Sequence, residues 1–256
     1  MVVACHQLNV AFADPEANLR HAIEAFHRLP SADLHVFPEC FITGYCVGSL
    51  AQAQAIALPL SELSEFLSPL QALVNQHEST AVIGLACTDT EDRVYNGAAV
   101  LRPHQHGSLY AKTHLPHLGL DRFVTPGDSL ECFDTPWGSL GILVCFDLRY
   151  PEAARTLALG GADIIALPTN WPNGAECSAN HICIARAAEN RVFFAACNRV
   201  GHENGFTFFG QSKIVSPTGQ VLACAGDAEE TIFAEIDLAE ARIKRTVNIP
   251  GEYEID

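Results

Sequence analysis

The order of periodicities along this chain restricts its fold more than any other feature: strand-like runs alternate with helix-like stretches through short connections. Val2 to Val10 reads as a strand, after which Asp14-Pro15 offers an N-cap and a first-turn proline to a helix carrying Leu19, Ala22, Ile23 and Phe26. Leu34 to Phe37 is a second strand, ending at Pro38-Glu39. Leu63, Phe66, Leu67, Leu70, Leu73 and Val74 mark an amphipathic helical region that Ser68-Pro69 kinks or restarts. Strands at Ala81 to Cys87, Val94 to Leu101 and Ser108 to Lys112 come next. Beyond the loop from Thr113 to Ser129 the order recurs, with strands near Glu131 to Phe133 and Ser139 to Cys145, a helix after Pro151, a strand at Asp163 to Leu167, a helix through Ile182 to Asn190, and four further strand runs. No low-complexity linker interrupts the pattern, so the expectation is an α/β fold of two similar α-β-β-α halves sharing one core in a single domain over residues 1–256.

Composition narrows the partners. Lys plus Arg total 15 against 30 Asp plus Glu, a formal charge of -15 that repels nucleic acid and anionic membrane surfaces and leaves small molecules or other protein chains. Met1 to Gln7 has neither a basic leader nor a long apolar run, and no later stretch reaches the roughly 18–20 apolar residues of a membrane span. The expected location is cytoplasmic. Ten cysteines scattered over such a chain then read mostly as small buried hydrophobes rather than a disulfide framework.

One cysteine has a different setting. Cys145 closes the apolar run Leu140 to Val144 and is followed by Phe146-Asp147-Leu148-Arg149-Tyr150-Pro151-Glu152, which places its thiol at an expected helix N-terminus, where thiolate is favoured. Glu39 and Lys112 also stand at the ends of apolar strands. Singly, a glutamate there is solvated or caps a neighbour, a lysine snorkels, and a cysteine packs. Together they supply what acyl transfer by a thiol needs: a nucleophile, a proton carrier and a positive group for the oxyanion.

Around these residues the chain resembles the nitrilase superfamily of carbon-nitrogen hydrolases over nearly its whole length. Phe37-Pro38-Glu39-Cys40-Phe41 with Gly44-Tyr45 is similar to the family's glutamate motif, Tyr110 to Pro116 with Pro126-Gly127-Asp128 to its lysine motif, and Val144 to Glu152 to its nucleophile motif. Pro168-Thr169-Asn170-Trp171, Arg186 to Asn190, Asn198 to Gly201, Gly210-Gln211-Ser212 and Ser216 to Gly219 are similar to later segments in order and spacing.

The resemblance implies a four-layer α-β-β-α sandwich, pairing into a homodimer or larger even oligomer, and a Glu39, Lys112, Cys145 triad with no metal or organic cofactor. Glu39 would take the thiol proton, and Lys112 with the N–H of Phe146 would meet the oxyanion. Many members carry a second glutamate after the lysine motif. Here Asp121 is the nearest acid, either standing in for it or forming a salt bridge to Arg122 or a loop cap. Tyr45, Asn170 and Trp171 are further candidates for substrate contact, with Trp171 in the pocket wall. Arg149 would pair with Asp147 or Glu152, or hold a substrate carboxylate, and Glu189 is placed in a buried network. Phe146 after the nucleophile, where nitrilases proper have Trp, favours amides over nitriles and the small-amide branch similar to omega-amidases. N-carbamoyl amino acid hydrolysis is the alternative. Two other classes stay open: a catalytically silent binding protein, and a metal-dependent hydrolase using His104, His106, His114 and His117, or Cys177, His181 and Cys183.

Overall fold

The computed structural model describes residues 1–244 and, for the backbone, 246–249 and 253–255, so the expected domain over 1–256 ends partly outside the described residues. The first half runs β1 (Val2–Gln7), α1 (Pro15–Arg28), β2 (Leu34–Val36), α2 (Leu50–Ile56), β3 (Leu58–Pro59), α3 (Leu63–Phe66), α4 (Ser68–His77), β4 (Thr80–Thr88), β5 (Val94–Leu101) and β6 (Ser108–Ala111). The second runs β7 (Cys132–Asp134), β8 (Ser139–Ile142), α5 (Pro151–Leu159), β9 (Ile164–Pro168), α6 (Cys183–Asn190), β10 (Phe193–Cys197), β11 (Val200–Glu203), β12 (Phe206–Phe209), β13 (Lys213–Val215) and β14 (Val221–Cys224). Then β15 (Glu230–Glu235) returns to the first sheet, and α7 (Ala239–Arg242) follows.

Local chemistry sets the helix starts. Asp14 accepts from the Ala17 N–H at 3.0 Å and Pro15 opens α1, as its cap sequence predicts. Leu67 separates α3 from α4 and Pro69 lies in the first turn of α4, so Ser68-Pro69 restarts the helix rather than kinking it.

One sheet has the order β15-β1-β2-β4-β5-β6, with β3 beside β4, and the other β14-β13-β10-β9-β8-β7. Each is built on three parallel strands, β1-β2-β4 and β10-β9-β8, with antiparallel strands outside. Because successive side chains point to opposite faces, each central strand feeds two cores. Val3, Val82, Ala98, Ile142, Ala166 and Ala195 meet between the sheets. Ala81, Ile83 and Ala99 turn outward onto α1 and α4, and Ile165, Leu167, Phe194 and Ala196 turn outward onto α5 and α6. The layers are therefore helix, sheet, sheet, helix, the four-layer arrangement expected. The three parallel strands of each half point their carboxyl ends the same way, which is where ligands bind in open α/β sheets.

The structure departs from the sequence reading at ends and in short pieces. Helix α2 falls in a stretch with no clear period. Six strands, not four, lie between Phe193 and Glu235. The strand expected from Ser139 to Cys145 stops at Ile142, for a reason that belongs to the active site.

Inside the first half two buried histidines face one another: His6 Nε2 lies 3.0 Å from His35 Nδ1, and His35 stacks on Phe26 at 3.9 Å. Burial holds the His6 ring well below its ordinary value and brings His35 to about 3. An unfolded chain with histidines near 6.5 therefore binds more protons than the fold below that pH, so stability falls as pH drops through this window. The loss is up to about 1.4 kcal/mol per pH unit for each ring. Urea midpoints should fall between pH 7 and pH 5, less steeply in His35→Phe. An equal slope in both proteins would take the pair out of the acid response.

Candidate active site

Glu39, Lys112 and Cys145 converge at the carboxyl ends of strands from both sheets. Glu39 follows β2, and its backbone runs on alongside β4: Phe37 N–H donates to Val82 O at 2.8 Å, Gly84 N–H to Pro38 O at 3.1 Å and Ile42 N–H to Gly84 O at 3.1 Å. A Cβ on Gly84 would sit 2.4 Å from Pro38 O and 2.6 Å from Glu39 Cα, so this close seat requires glycine. Gly84→Ala must push the Glu39 backbone outward. It is expected to lower kcat/KM by about 10²-fold in a folded protein, as a misplacement of an ångström does. A folded Gly84→Ala enzyme within twofold of wild type would show that the seat is not needed.

Lys112 leaves β6 with its N–H on Asn96 O at 2.8 Å, while its own carbonyl accepts from Gly127 at 2.9 Å. Its ammonium donates to Glu39 Oε1 at 2.8 Å and Asp121 Oδ2 at 2.6 Å, and all three side chains are fully buried. Burial works against the Lys112 charge, but the carboxylates of Asp121 and Glu39 more than offset it and hold the group well above its ordinary value. Burial raises Glu39, with Lys112 pulling the other way.

The loop acid is part of this cluster. Asp121 lies in a short 3-10 turn, Gly119–Arg122, and takes the Tyr45 hydroxyl on Oδ2 at 2.9 Å and the Asn96 side-chain nitrogen on Oδ1 at 2.8 Å. The expected alternative, a pair with Arg122, is not formed: that guanidinium donates to Val47 O at 3.0 Å and lies over the Phe123 ring. Tyr45 thus reaches the cluster through Asp121 and is itself buried.

Cys145 corrects one expectation. It opens a five-residue 3-10 turn, Cys145–Arg149, with φ of 45°, and α5 begins only at Pro151. The left-handed conformation breaks the strand pairing early and turns the thiol out of the sheet. The sulfur therefore has no α-helix end beside it. Burial, then the Glu39 charge, push its pKa well up, so the resting group is a thiol that needs a base. The Thr169 hydroxyl and the Asn170 backbone N–H face the sulfur. Thr169 Oγ1, Glu39 Oε2 and both side-chain polar atoms of Asn170 are buried without another protein partner. The Phe146 N–H, first in the turn, has no intrahelical acceptor.

Asp147 ties the nucleophile turn to the lysine strand, accepting from Val144 N–H at 2.9 Å, Tyr110 Oη at 2.7 Å, Thr113 Oγ1 at 3.0 Å and His114 N–H at 2.9 Å. Burial would raise its carboxyl, yet the His114, Val144 and Tyr110 hydrogen bonds bring it below the ordinary range. Asp147 is thus not the partner of Arg149, which is exposed and in no ion pair among the described residues. Glu189 is likewise exposed, pairing with Arg186 at 2.9 Å, and not in a buried network. The buried network belongs to Arg199 and Glu203, which sequence reading missed. They pair directly, and Glu203 accepts the N–H groups of Tyr45 and Cys46 at 2.8 and 2.5 Å. Asn198 holds Trp171 through its N–H at 2.8 Å and its carbonyl at 3.3 Å, fixing the buried indole beside Asn170.

The histidines do not gather. His104 pairs with Glu78, His114 with Asp147, and His117 lines a cavity of about 550 Å³ with Val47, Leu118, Arg122 and Phe206. Among the described residues no group of three or more His, Cys, Asp or Glu side chains is placed to hold a metal ion, and no helix is long and apolar enough to cross a membrane.

This geometry has counterparts. A protein described as a nitrilase in Pyrococcus abyssi (strain GE5 / Orsay) is 36% identical over 249 residues, covering 95% of this chain and 92% of its own. A 2-oxoglutaramate amidase of Bacillus subtilis (strain 168) is 30% identical over 252 residues, with 96% and 95% covered. A solved mutant amidase from Nesterenkonia sp. AN1 carries the acetamide moiety of fluoroacetamide covalently added at its active site cysteine. It superposes with a TM-score of 0.83 at 25% identity, covering 94% of this chain and 92% of that one. The family model for carbon-nitrogen hydrolase matches residues 2–245, and with it this chain belongs to the nitrilase superfamily of carbon-nitrogen hydrolases, enzymes that act on non-peptide amide bonds.

Proposed function

We propose that this enzyme hydrolyses a small carboxamide to carboxylate and ammonia through a thioester on Cys145. The observation that carries the reading is the state of Glu39: Oε1 is held by Lys112 and Asn96, while Oε2 is buried with no protein partner. That oxygen takes the thiol proton as sulfur attacks the amide carbon. Charge developing on the carbonyl oxygen is met by the Lys112 ammonium and the Phe146 N–H, each such donor being worth on the order of 3 kcal/mol in the barrier. Glu39 returns the proton to the departing nitrogen, then deprotonates the water that opens the thioester. These steps draw on the chain's own groups, with no metal or organic cofactor. Asp121 and Tyr45 keep the ammonium in place, Asn170 offers its unpartnered amide to the polar end of the substrate, and Trp171 walls the pocket.

Ammonia release across a panel of small amides, N-carbamoyl amino acids and nitriles tests this. Amides should turn over best. Preference for a carbamoyl compound would move the chain to the alternative branch, and no ammonia from any member would remove the amidase reading.

The proposal includes assembly and location. Leu159 on α5 is 79% exposed, and a second copy would cover it in a homodimer or larger even oligomer. Light scattering at micromolar concentration should give at least twice the 27.6 kDa chain mass. A monodisperse species at the chain mass would refute pairing. All ten cysteines are free, which suits the reducing cytoplasm.

A further inference from the structure

We infer that Asn96 is the positioning residue of this site: its side-chain amide keeps Glu39 ionised beside Asp121 and turns Oε2 of Glu39, rather than Oε1, toward the thiol. The inference rests on the Glu39 and Cys145 chemistry proposed above and assigns a role to a residue that neither takes a proton nor touches substrate.

Asn96 is the third residue of β5 and is fully buried. Its main-chain carbonyl receives the Lys112 N–H at 2.8 Å, so the same residue that holds the carboxylates also sets where the lysine strand ends. Its side-chain nitrogen donates one hydrogen to Glu39 Oε1 and the other to Asp121 Oδ1, both at 2.8 Å. Its side-chain oxygen accepts from the Cys40 thiol at 3.3 Å. Chemistry fixes this orientation. Ionised carboxylates only accept, so a flipped amide would set three acceptors against one another and leave the thiol without one.

Two carboxylates in one dry pocket do not both ionise unless donors compensate them. Sharing a single proton is the usual outcome. Lys112 compensates one oxygen of each acid, Glu39 Oε1 and Asp121 Oδ2. Asn96 reinforces Glu39 Oε1 and supplies the remaining oxygen of Asp121, which leaves Glu39 Oε2 as the one carboxylate oxygen of the pair with no protein donor. Without those two hydrogens, Glu39 would lose a donor that favours its ionised form against burial, and Asp121 Oδ1 would be left without a donor. The groups that face Glu39 and bear on its titration are Lys112, Asp121, Tyr45, Cys40, Cys46 and Cys145. Beside them Asn96 donates to Glu39 Oε1 without carrying charge.

The test is the pH dependence of Cys145 alkylation by iodoacetamide, which needs Glu39 as base but no substrate, followed beside kcat and KM on the best amide. In Asn96→Asp a third carboxyl replaces the two donors. The acid limb of alkylation should move up by at least one pH unit, a tenfold change in the protonation equilibrium. At neutral pH kcat should drop at least tenfold, with KM changed less than threefold and partial recovery in Asn96→Ser, whose hydroxyl restores one donor. A residue that only packs would lower the yield of folded protein and leave the limb in place. Asn96→Ser also serves should Asn96→Asp not fold, with a smaller upward shift expected. A folded variant of either kind whose alkylation limb coincides with wild type overturns the inference. Because alkylation displaces iodide and cleaves no amide bond, this result is distinguishable from failure of the substrate panel, which would leave the limb shift intact.

Discussion

Glu39→Gln is expected to leave a folded protein whose kcat/KM on its best amide falls by 10²-fold to 10⁴-fold, the usual range for loss of a general base. The substitution keeps shape and a hydrogen-bonding oxygen but removes the carboxylate oxygen proposed to take the proton of a thiol that burial keeps protonated. Lys112 retains Asp121 as its counter-ion at 2.6 Å, so no buried charge is left alone and the fold should survive. Cys145→Ser should fail by at least as much, and the double variant should be no worse than the poorer single one, because both residues serve one transition state. Circular dichroism must show native spectra throughout. A folded Glu39→Gln enzyme keeping more than about a tenth of wild-type kcat/KM, a loss under roughly 1.4 kcal/mol, would make Glu39 structural. Lys112→Met is a less clean probe. It strands two buried carboxylates, so its effect on stability and on rate would come mixed.

Glu203→Ala is expected to destabilise the protein by about 3–5 kcal/mol, the range for removing one partner of a buried ion pair. Both side chains are essentially inaccessible, and loss of the carboxylate leaves the Arg199 guanidinium uncompensated and the Tyr45 and Cys46 N–H groups without an acceptor. In a chain of this size that corresponds to a drop in Tm of about 6–20 °C. Replacing both Arg199 and Glu203 by apolar residues should cost less than Glu203→Ala alone, since no unpaired charge remains. A melting temperature for Glu203→Ala within 2 °C of wild type would show that the pair is dispensable.

Much of this was legible in the sequence because strand and helix periods report directly on burial. Val94–Leu101 is found where the pattern sets it, and Asp14-Pro15 starts α1 as its cap chemistry requires. Glu39, Lys112 and Cys145 stood out as reactive types at strand ends. What stayed hidden depends on distance in space. Nothing in the spacing of Asn96, Tyr45 and Lys112 shows that their side chains meet at Asp121, since each comes from a different loop or strand. Arg199 and Glu203, four apart around one short strand, resemble any exposed pair until the sandwich closes over them. The thiol's setting was misread because a left-handed φ of 45° at a cysteine leaves no trace in composition.

The division of the triad between the layers has a consequence for how the enzyme fails. Glu39 and Lys112 belong to the sheet of β1 to β6, Cys145 to the other, and the apolar seam of Val3, Val82, Ile142 and Ala166, with the Asp147 hydrogen bonds, holds the proposed base and nucleophile in register. Turnover is therefore a gauge of sheet-to-sheet docking rather than of secondary structure. Slippage along the seam would silence the enzyme while every strand remained hydrogen-bonded, so on gentle warming or in dilute urea inactivation should run ahead of the far-ultraviolet signal.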